Sequence, residues 1–491
     1  MMSQKQNSNA VAIVMMILLF GMISFVTNLA APMGVVLKNQ FGVSNFMGML
    51  GNAANFIAYA VMGIPSGILL QRIGYKKTAL TGVAIGFVGV GIQYLSGNAS
   101  DETAFGIYLL GAFVAGFSMC LLNTVVNPML NTLGGGGKGG GRLIQVGGSF
   151  NSLMATFTPV FVGILIGEVS KAKITDVFPV MYIAMGVFAA VFFVLWAVKI
   201  AEPNVEKTSD PLGKLMAGTL KFRHFVLGAI AIFVYVGVEV GTPGIANLYM
   251  TTPTSEQAQA KMQEYDKQQS DSAYLLEIQT KDEENKDKQG YALQEVKKEA
   301  FDNAKKIIDG ETMAGLGIPA GVAGGVVGLY WLLMLVGRLT GAIIGKKVSS
   351  KTMLTVASVL GLALIAAAIF TSVKPLVLMP SFSTGNGTLE AGLAEVPLKF
   401  LFIALVGLCT SIMWGGIFNL AVEGLGKYLA AASGIFMVLV CGGGLLPALQ
   451  GFIADIAGYS NSYWVIMAGL AYLLFYALVG SKIVNKDIPV K

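Results

Sequence analysis

The 491-residue sequence predicts an all-α membrane protein: twelve transmembrane helices in two pseudo-symmetric six-helix bundles, with a helical extramembrane insertion between helices 7 and 8. Three observations lead there. The chain is 55% hydrophobic and only 12% charged, far from the usage of a soluble domain. Its apolar residues gather in runs long enough to cross about 30 Å of hydrocarbon. Of its 60 charged residues, 23 fall in one stretch, Thr251 to Glu311, so the other 430 positions hold 37.

The candidate spans are 11–37, 46–70, 78–96, 103–131, 143–167, 177–200, 222–250, 313–345, 351–373, 396–421, 428–454 and 461–483. The first could be a signal peptide, with Lys5 before it and Ala30-Ala31 after. Its length and the spans that follow favour a first transmembrane helix instead. An even count puts both termini on one side. The segments on that side hold 19 of the 33 Lys and Arg, and 9 of the remaining 14 lie in the Thr251–Glu311 insertion. A segment that long translocates whatever its charge, so the short-loop comparison is 19 against 5, which makes both termini cytoplasmic. The +6 net charge is then the positive-inside signature rather than a face for nucleic acid.

The expected organisation is an N-terminal bundle (1–200), a cytoplasmic linker (201–221) with Glu202, Pro203, Lys207, Asp210 and Pro211, and a C-terminal bundle (222–491). The halves share local grammar. Span 2 runs into Gly67-Ile-Leu-Leu-Gln-Arg-Ile-Gly-Tyr-Lys-Lys77 and span 8 into Gly341-Ala-Ile-Ile-Gly-Lys-Lys347, while spans 5 and 11 carry Pro159/Gly163 and Pro447/Gly451. The insertion (251–311) has 14 acidic and 9 basic residues and one proline, Pro253, which suits solvated helices over 254–285 and 291–309 on the periplasmic or extracellular side. It is an ornamental hairpin, a lid or a docking element.

Several chemistries are excluded. Cys120, Cys409 and Cys441 sit inside apolar runs, and the one histidine, His224, stands beside Arg223, so disulfide frameworks, metal clusters and histidine triads have no material. Gly134-Gly-Gly-Gly-Lys-Gly-Gly-Gly141 follows no strand, and Lys138 precedes Gly139 where a P-loop needs Ser or Thr. It is expected to be a flexible loop, with no nucleotide bound. One mid-membrane carboxylate cannot supply a paired acid and base, so the chain is not expected to be an enzyme.

That carboxylate is Glu239. Of the 13 carboxylates outside the insertion, it alone sits mid-span, in Tyr235-Val-Gly-Val-Glu-Val-Gly241. An ionised group there costs about 2.5–3.5 kcal/mol on insertion scales, so such residues face a cavity and work on ions or solute. Tyr235, one turn earlier, can hydrogen-bond it or the solute. Asn123 and Asn127 share a face of span 4, and Pro128 frees a carbonyl beside them. Asn28, Asn151 and Asn419 are further uncharged polar groups inside spans; amides pair with adjacent hydroxyls. Trp414 offers a ring face for a pyranose, and Trp331 is read as packing. The mid-span regions show no obvious Lys or Arg, which counts against an anionic solute.

Asn123-Thr-Val-Val-Asn-Pro128, Arg142 followed by Ser149-Phe-Asn-Ser152, Pro65-Ser-Gly-Ile-Leu-Leu with Gly74-Tyr-Lys76, Phe233-Val-Tyr-Val-Gly237, Gly337-Arg-Leu-Thr-Gly341, and Ile417-Phe with Leu425-Gly426 resemble the fucose/galactose/glucose permeases of the major facilitator superfamily. The resemblance implies the major facilitator fold and a monosaccharide symporter that alternates access between rocking halves. It also singles out departures. The family's fucose symporters carry an Asp in span 1 and a Glu opening the span 4 motif; the matching positions here are Asn28 and Asn123, which cannot carry a proton. Gly148-Ser149 replaces Ala-Gln, Gln71 replaces an acidic residue, and Trp414 falls where a Tyr is found.

The expected function is secondary transport of a small polar solute, a monosaccharide above all, coupled through Glu239 to a proton or to sodium, with no other cofactor. The proposed solute site joins Asn28, Asn123, Asn127 and Asn151 to Tyr235, Glu239, Trp414 and Asn419. Partners are the solute and the bilayer, with the chain a monomer in a bacterial inner membrane. Uniport, another solute such as a sugar acid, disaccharide or lipid, and a non-transporting sugar sensor are the alternatives.

Overall fold

A bilayer offers no water to unpaired amides, so apolar runs of this length close their hydrogen bonds internally as helices. The computed structural model describes residues 9–27, 45–99, 101–166, 177–198, 212–270, 301–302, 304–310, 313–385 and 388–484. Among these, ten helices are long and apolar enough to cross a membrane. One lies in the helical run Asn45–Ser96, which breaks at Gly74 (φ 81°, ψ 177°) and so holds spans 2 and 3. Gly137–Ile166 supplies span 5, and twelve spans result. A residue with a Cβ would be strained at Gly74's angles, which is what lets Gly74-Tyr75-Lys76-Lys77 reverse the chain.

In order, the other spans are Asn9–Thr27, Asp101–Leu133, Phe178–Ala197, Arg223–Thr251, Ala320–Ile344, Ser350–Phe370, Lys399–Ala421, Gly426–Ala457 and Tyr459–Gly480. Large apolar side chains such as Phe193, Trp196, Ile343, Phe370 and Phe452 stand exposed on the outside, while Phe20, Met119, Phe418 and Tyr476 are buried within the halves. This is an integral, multi-pass membrane protein.

Three local features differ from expectation. Span 8 begins at Ala320 rather than at 313, because 315–318 run as non-helical chain along the end of span 7: the amides of Gly315, Leu316, Gly317 and Ile318 donate to the carbonyls of Pro253, Tyr249, Thr252 and Met250. The glycine-rich stretch is a tight turn rather than a loose loop. Gly135, Gly136 and Gly137 all take positive φ, and Gly137 already opens span 5. The chain is also not wholly helical. Between spans 9 and 10, β1 (Leu376–Gly385) pairs antiparallel with β2 (Thr388–Pro397), and Gly325 of span 8 packs against the Pro380 carbonyl.

In the insertion, Ser255–Ser270 is helical, and Ala258 packs with Ala304 and Ile307 from the returning segment. Residues 271–300 of the expected helices, and Glu202 to Pro211 of the linker, lie outside the described residues.

The two faces of the bundle are distinct. One carries the turns around Lys76, Lys138 and Lys347 and is termed the basic-loop face; the other carries the insertion and the hairpin. The halves close tightly toward the basic-loop face. Gly67 of span 2 lies so near Gly434 of span 11 that a Cβ on either would sit 3.0 Å from the other's Cα, the close backbone approach that small residues permit between membrane helices.

Candidate functional site

Span 4 brings its amides inward as a stack. Asn127 Nδ2 donates to the Asn123 carbonyl at 2.9 Å, and Asn123 Nδ2 donates to the Tyr59 hydroxyl at 2.6 Å. Pro128, one residue on, has no N–H for the carbonyl of Thr124. Asn127 Oδ1 then accepts from Trp414 Nε1 of span 10 at 2.9 Å, a bond between the halves. The indole is fixed by rings on two more helices, with Tyr235 at 6.2 Å and Phe436 at 6.2 Å between centroids.

Glu239 lies one turn beyond Tyr235 on span 7. Its Oε1 is 3.2 Å from Nη2 of Arg338 on span 8, and the two side chains keep 14% and 10% of their surface exposed. The carboxylate is therefore neither free in a cavity nor sealed in the core. This corrects the expectation that no cation stands mid-span. Arg338 lies six residues before the end of span 8, about 9 Å along the axis, and its guanidinium works deeper than a loop residue would.

The same guanidinium reaches three elements. Nε donates to the Ser411 carbonyl at 3.3 Å in its own half. Nη1 crosses to span 5, donating to the Gly148 carbonyl at 3.0 Å, Ser152 Oγ at 2.7 Å and Asn151 Oδ1 at 3.4 Å. Asn151 in turn donates from Nδ2 to the Phe20 carbonyl of span 1 at 3.0 Å. Tyr330, two turns before Arg338, donates its hydroxyl to the Glu239 carbonyl at 3.1 Å and bonds Thr410 at 3.0 Å.

Glu239 and Asn151 thus meet at Arg338, while Asn123, Asn127 and Trp414 form a chain that reaches Tyr235, one turn before Glu239. Asn419 belongs to a different layer, nearer the basic-loop face: its Oδ1 accepts from Asn131 Nδ2 at 2.6 Å and its Nδ2 donates to Ser350 at 3.0 Å. Gln145 donating to the Ile412 carbonyl at 2.9 Å and Lys138 donating to the Lys347 carbonyl at 2.9 Å bind the halves on that same side. Asn28 lies outside the described residues. Trp331 packs edge-on against Tyr330 at 5.3 Å, as a packing residue would.

Arg338, Ser152 and Asn131 escaped the sequence reading. The signal for Arg338 was present in Gly337-Arg-Leu-Thr-Gly341: a span running to 345 has to carry residue 338 inside the membrane. Among the described residues no group of His, Cys, Asp and Glu could hold a transition metal. What the site offers is a ring of neutral amides, an indole and one ion pair on the plane where the halves meet.

Relatives of known name resemble almost the whole chain. The glucose/galactose transporter of Brucella abortus is 25% identical over 489 residues, 98% of this chain and 96% of that one. The L-fucose-proton symporter of Escherichia coli is 22% identical over 445 residues, 86% and 82% of the two chains. The crystal structure of the transporter FucP in the outward conformation superposes with a TM-score of 0.70 at 17% identity, covering 97% of this chain and all of that one. The Major Facilitator Superfamily profile matches residues 13–266, more than half of the 491. By that match, and by twelve spans in two facing halves, this chain belongs to the Major Facilitator Superfamily and is a membrane transporter, not an enzyme.

Proposed function

We propose that the chain is a cation-coupled carrier of a neutral monosaccharide, working by alternating access as a monomer in a bacterial inner membrane, with Glu239 as the coupling carboxylate. The observation that carries this is the Asn127–Trp414 bond between the halves, packed on Tyr235 one turn before the Glu239–Arg338 pair. Amides and an indole suit hydroxyls and a pyranose face, and a carboxylate held by one cation suits a group that changes charge during a cycle. Relatives named for glucose, galactose and fucose agree with a sugar.

An anionic solute fits less well, even with a cation in the site. Four of Arg338's five N–H protons, on Nε, Nη1 and Nη2, already meet protein acceptors, leaving a single donor. The excess of Lys and Arg in the short loops assigns the basic-loop face and both termini to the cytoplasm. Closure on that face is what an outward-facing state requires of the cytoplasmic side.

Uptake of labelled monosaccharides into proteoliposomes, under imposed pH or sodium gradients, tests the reading. Accumulation should follow one gradient, and Glu239→Gln should keep downhill exchange while losing accumulation. If no monosaccharide moves under either gradient, the sugar assignment fails. Trp414→Phe, which shrinks the ring face offered to a pyranose, should raise KM severalfold at unchanged protein yield, as a loss of about 0.5–1.5 kcal/mol of aromatic contact implies. An unchanged KM would remove Trp414 from the solute site.

A further inference from the structure

A guanidinium is a rigid planar fork, so fixing one arm aims the others. In Arg338 the fixed arm is Nη2 on Glu239, and the arm it aims is Nη1, whose three acceptors Gly148, Asn151 and Ser152 all belong to span 5 in the other half. One side chain therefore joins the carboxylate to the closure between the halves.

Inside a bilayer such a cation stays in place only while it is compensated. Carbonyls and hydroxyls satisfy its protons, yet the charge itself is balanced by Glu239. The groups around the pair are otherwise uncharged: Tyr330 from span 8 and its partner Thr410 from span 10, Asn151 and Ser152 from span 5, and Tyr235 on span 7 itself. Among the described residues Arg338 is the one cation that pairs with Glu239. Once Glu239 is neutral, an uncompensated guanidinium is driven toward water, and moving there withdraws Nη1 from span 5.

We propose that Arg338 is a positioning residue that converts the charge of Glu239 into the state of the cytoplasmic gate: ionised Glu239 bolts span 8 to span 5, and a bound coupling cation releases the bolt. The cycle then has a direction. A carrier loaded from outside loses the bolt and can open inward; a carrier that has released its cation inside recovers it and returns outward. Asn131–Asn419 and Gln145–Ile412 lie further along the same seam and part after the bolt does.

This rests on Glu239 being the coupling carboxylate, and its test needs no solute. Spin labels at Lys77 and Lys346, exposed on the basic-loop face and one in each half, are placed in a protein whose Cys120, Cys409 and Cys441 are alanine. Pulsed dipolar distances are then read across pH and sodium concentration. Glu239→Gln should raise the ratio of long to short distances about tenfold at every pH and sodium level. Ser152→Val, which leaves the ion pair and removes one acceptor across the interface, should raise it about threefold and keep the cation response. A Glu239→Gln distribution equal to that of the wild type overturns the proposal. If that variant does not fold, a wild-type distribution indifferent to both pH and sodium overturns it instead. Failure of sugar uptake leaves these distances unaffected, so the two readings fail separately.

Discussion

Arg338→Met is expected to destabilise the folded protein by about 3–5 kcal/mol, the cost of leaving one partner of a buried ion pair uncompensated. The geometry supports the upper part of that range. Glu239 would lose its one cation while keeping only 14% exposure, and Gly148, Ser152 and Ser411 would each lose a donor. Glu239→Gln alone should cost less, because the released guanidinium can move toward water. The double variant should recover most of the loss, because a neutral pair of similar volume carries no desolvated charge. Unfolding in detergent with guanidinium-free denaturants, arranged as a double-mutant cycle, measures this. A double variant no more stable than either single one would show that packing, not charge, is at stake. The recovered protein should still fail to accumulate solute, since stability and coupling separate here.

The second large effect concerns closure. Gly434→Val should reduce transport more than tenfold while leaving the protein folded, as no charge or buried hydrogen bond is lost. A Cβ at 434 would meet the Gly63 carbonyl at 2.8 Å and the Gly67 Cα at 3.0 Å. Those are backbone atoms and cannot rotate aside. Spans 2 and 11 would have to separate at the basic-loop face, and the closed state would be lost. Gly451→Ala, on the same span with open space around its Cα, is the control and should transport normally. Equal activity in both variants would mean that the glycine contact is incidental. Labels at Lys77 and Lys346 should report a persistently long distance for Gly434→Val.

Hydropathy found the spans because the bilayer imposes one length and one structure on each of them. It found Glu239 for the same reason: a carboxylate in Tyr235 to Gly241 contradicts its surroundings. Arg338 stood out less, since a basic residue toward a span end also fits orientation rules, and only the fold shows its side chain turned toward Glu239. Trp414 and Asn127 could each be singled out, whereas their bond joins residues 287 positions apart and lies beyond any periodicity. The hairpin had a legible signal in Asn386-Gly387, a pair favoured in two-residue hairpin turns. Hydropathy over a span-length window averages such a short hairpin into the loop between spans 9 and 10. The late start of span 8 was also written in Gly315, Gly317 and Pro319. Asn419 shows the opposite failure: its chemistry suited the solute site, and depth along span 10 assigned it to Asn131 instead.

The non-helical stretch 315–318, laced by four backbone amides to the end of span 7, has a mechanical meaning. It makes the root of the insertion a lever arm welded to the helix that carries Glu239. Gln257 donates to the Gly317 carbonyl and Ala258 packs on Ala304 and Ile307, so Ser255–Ser270 is held to that root and the added mass travels as ballast with one partner of the rocking pair. A reagent gripping that outer helix would act as a tiller, and the angle it takes would report, from outside the membrane, how far span 7 has tilted.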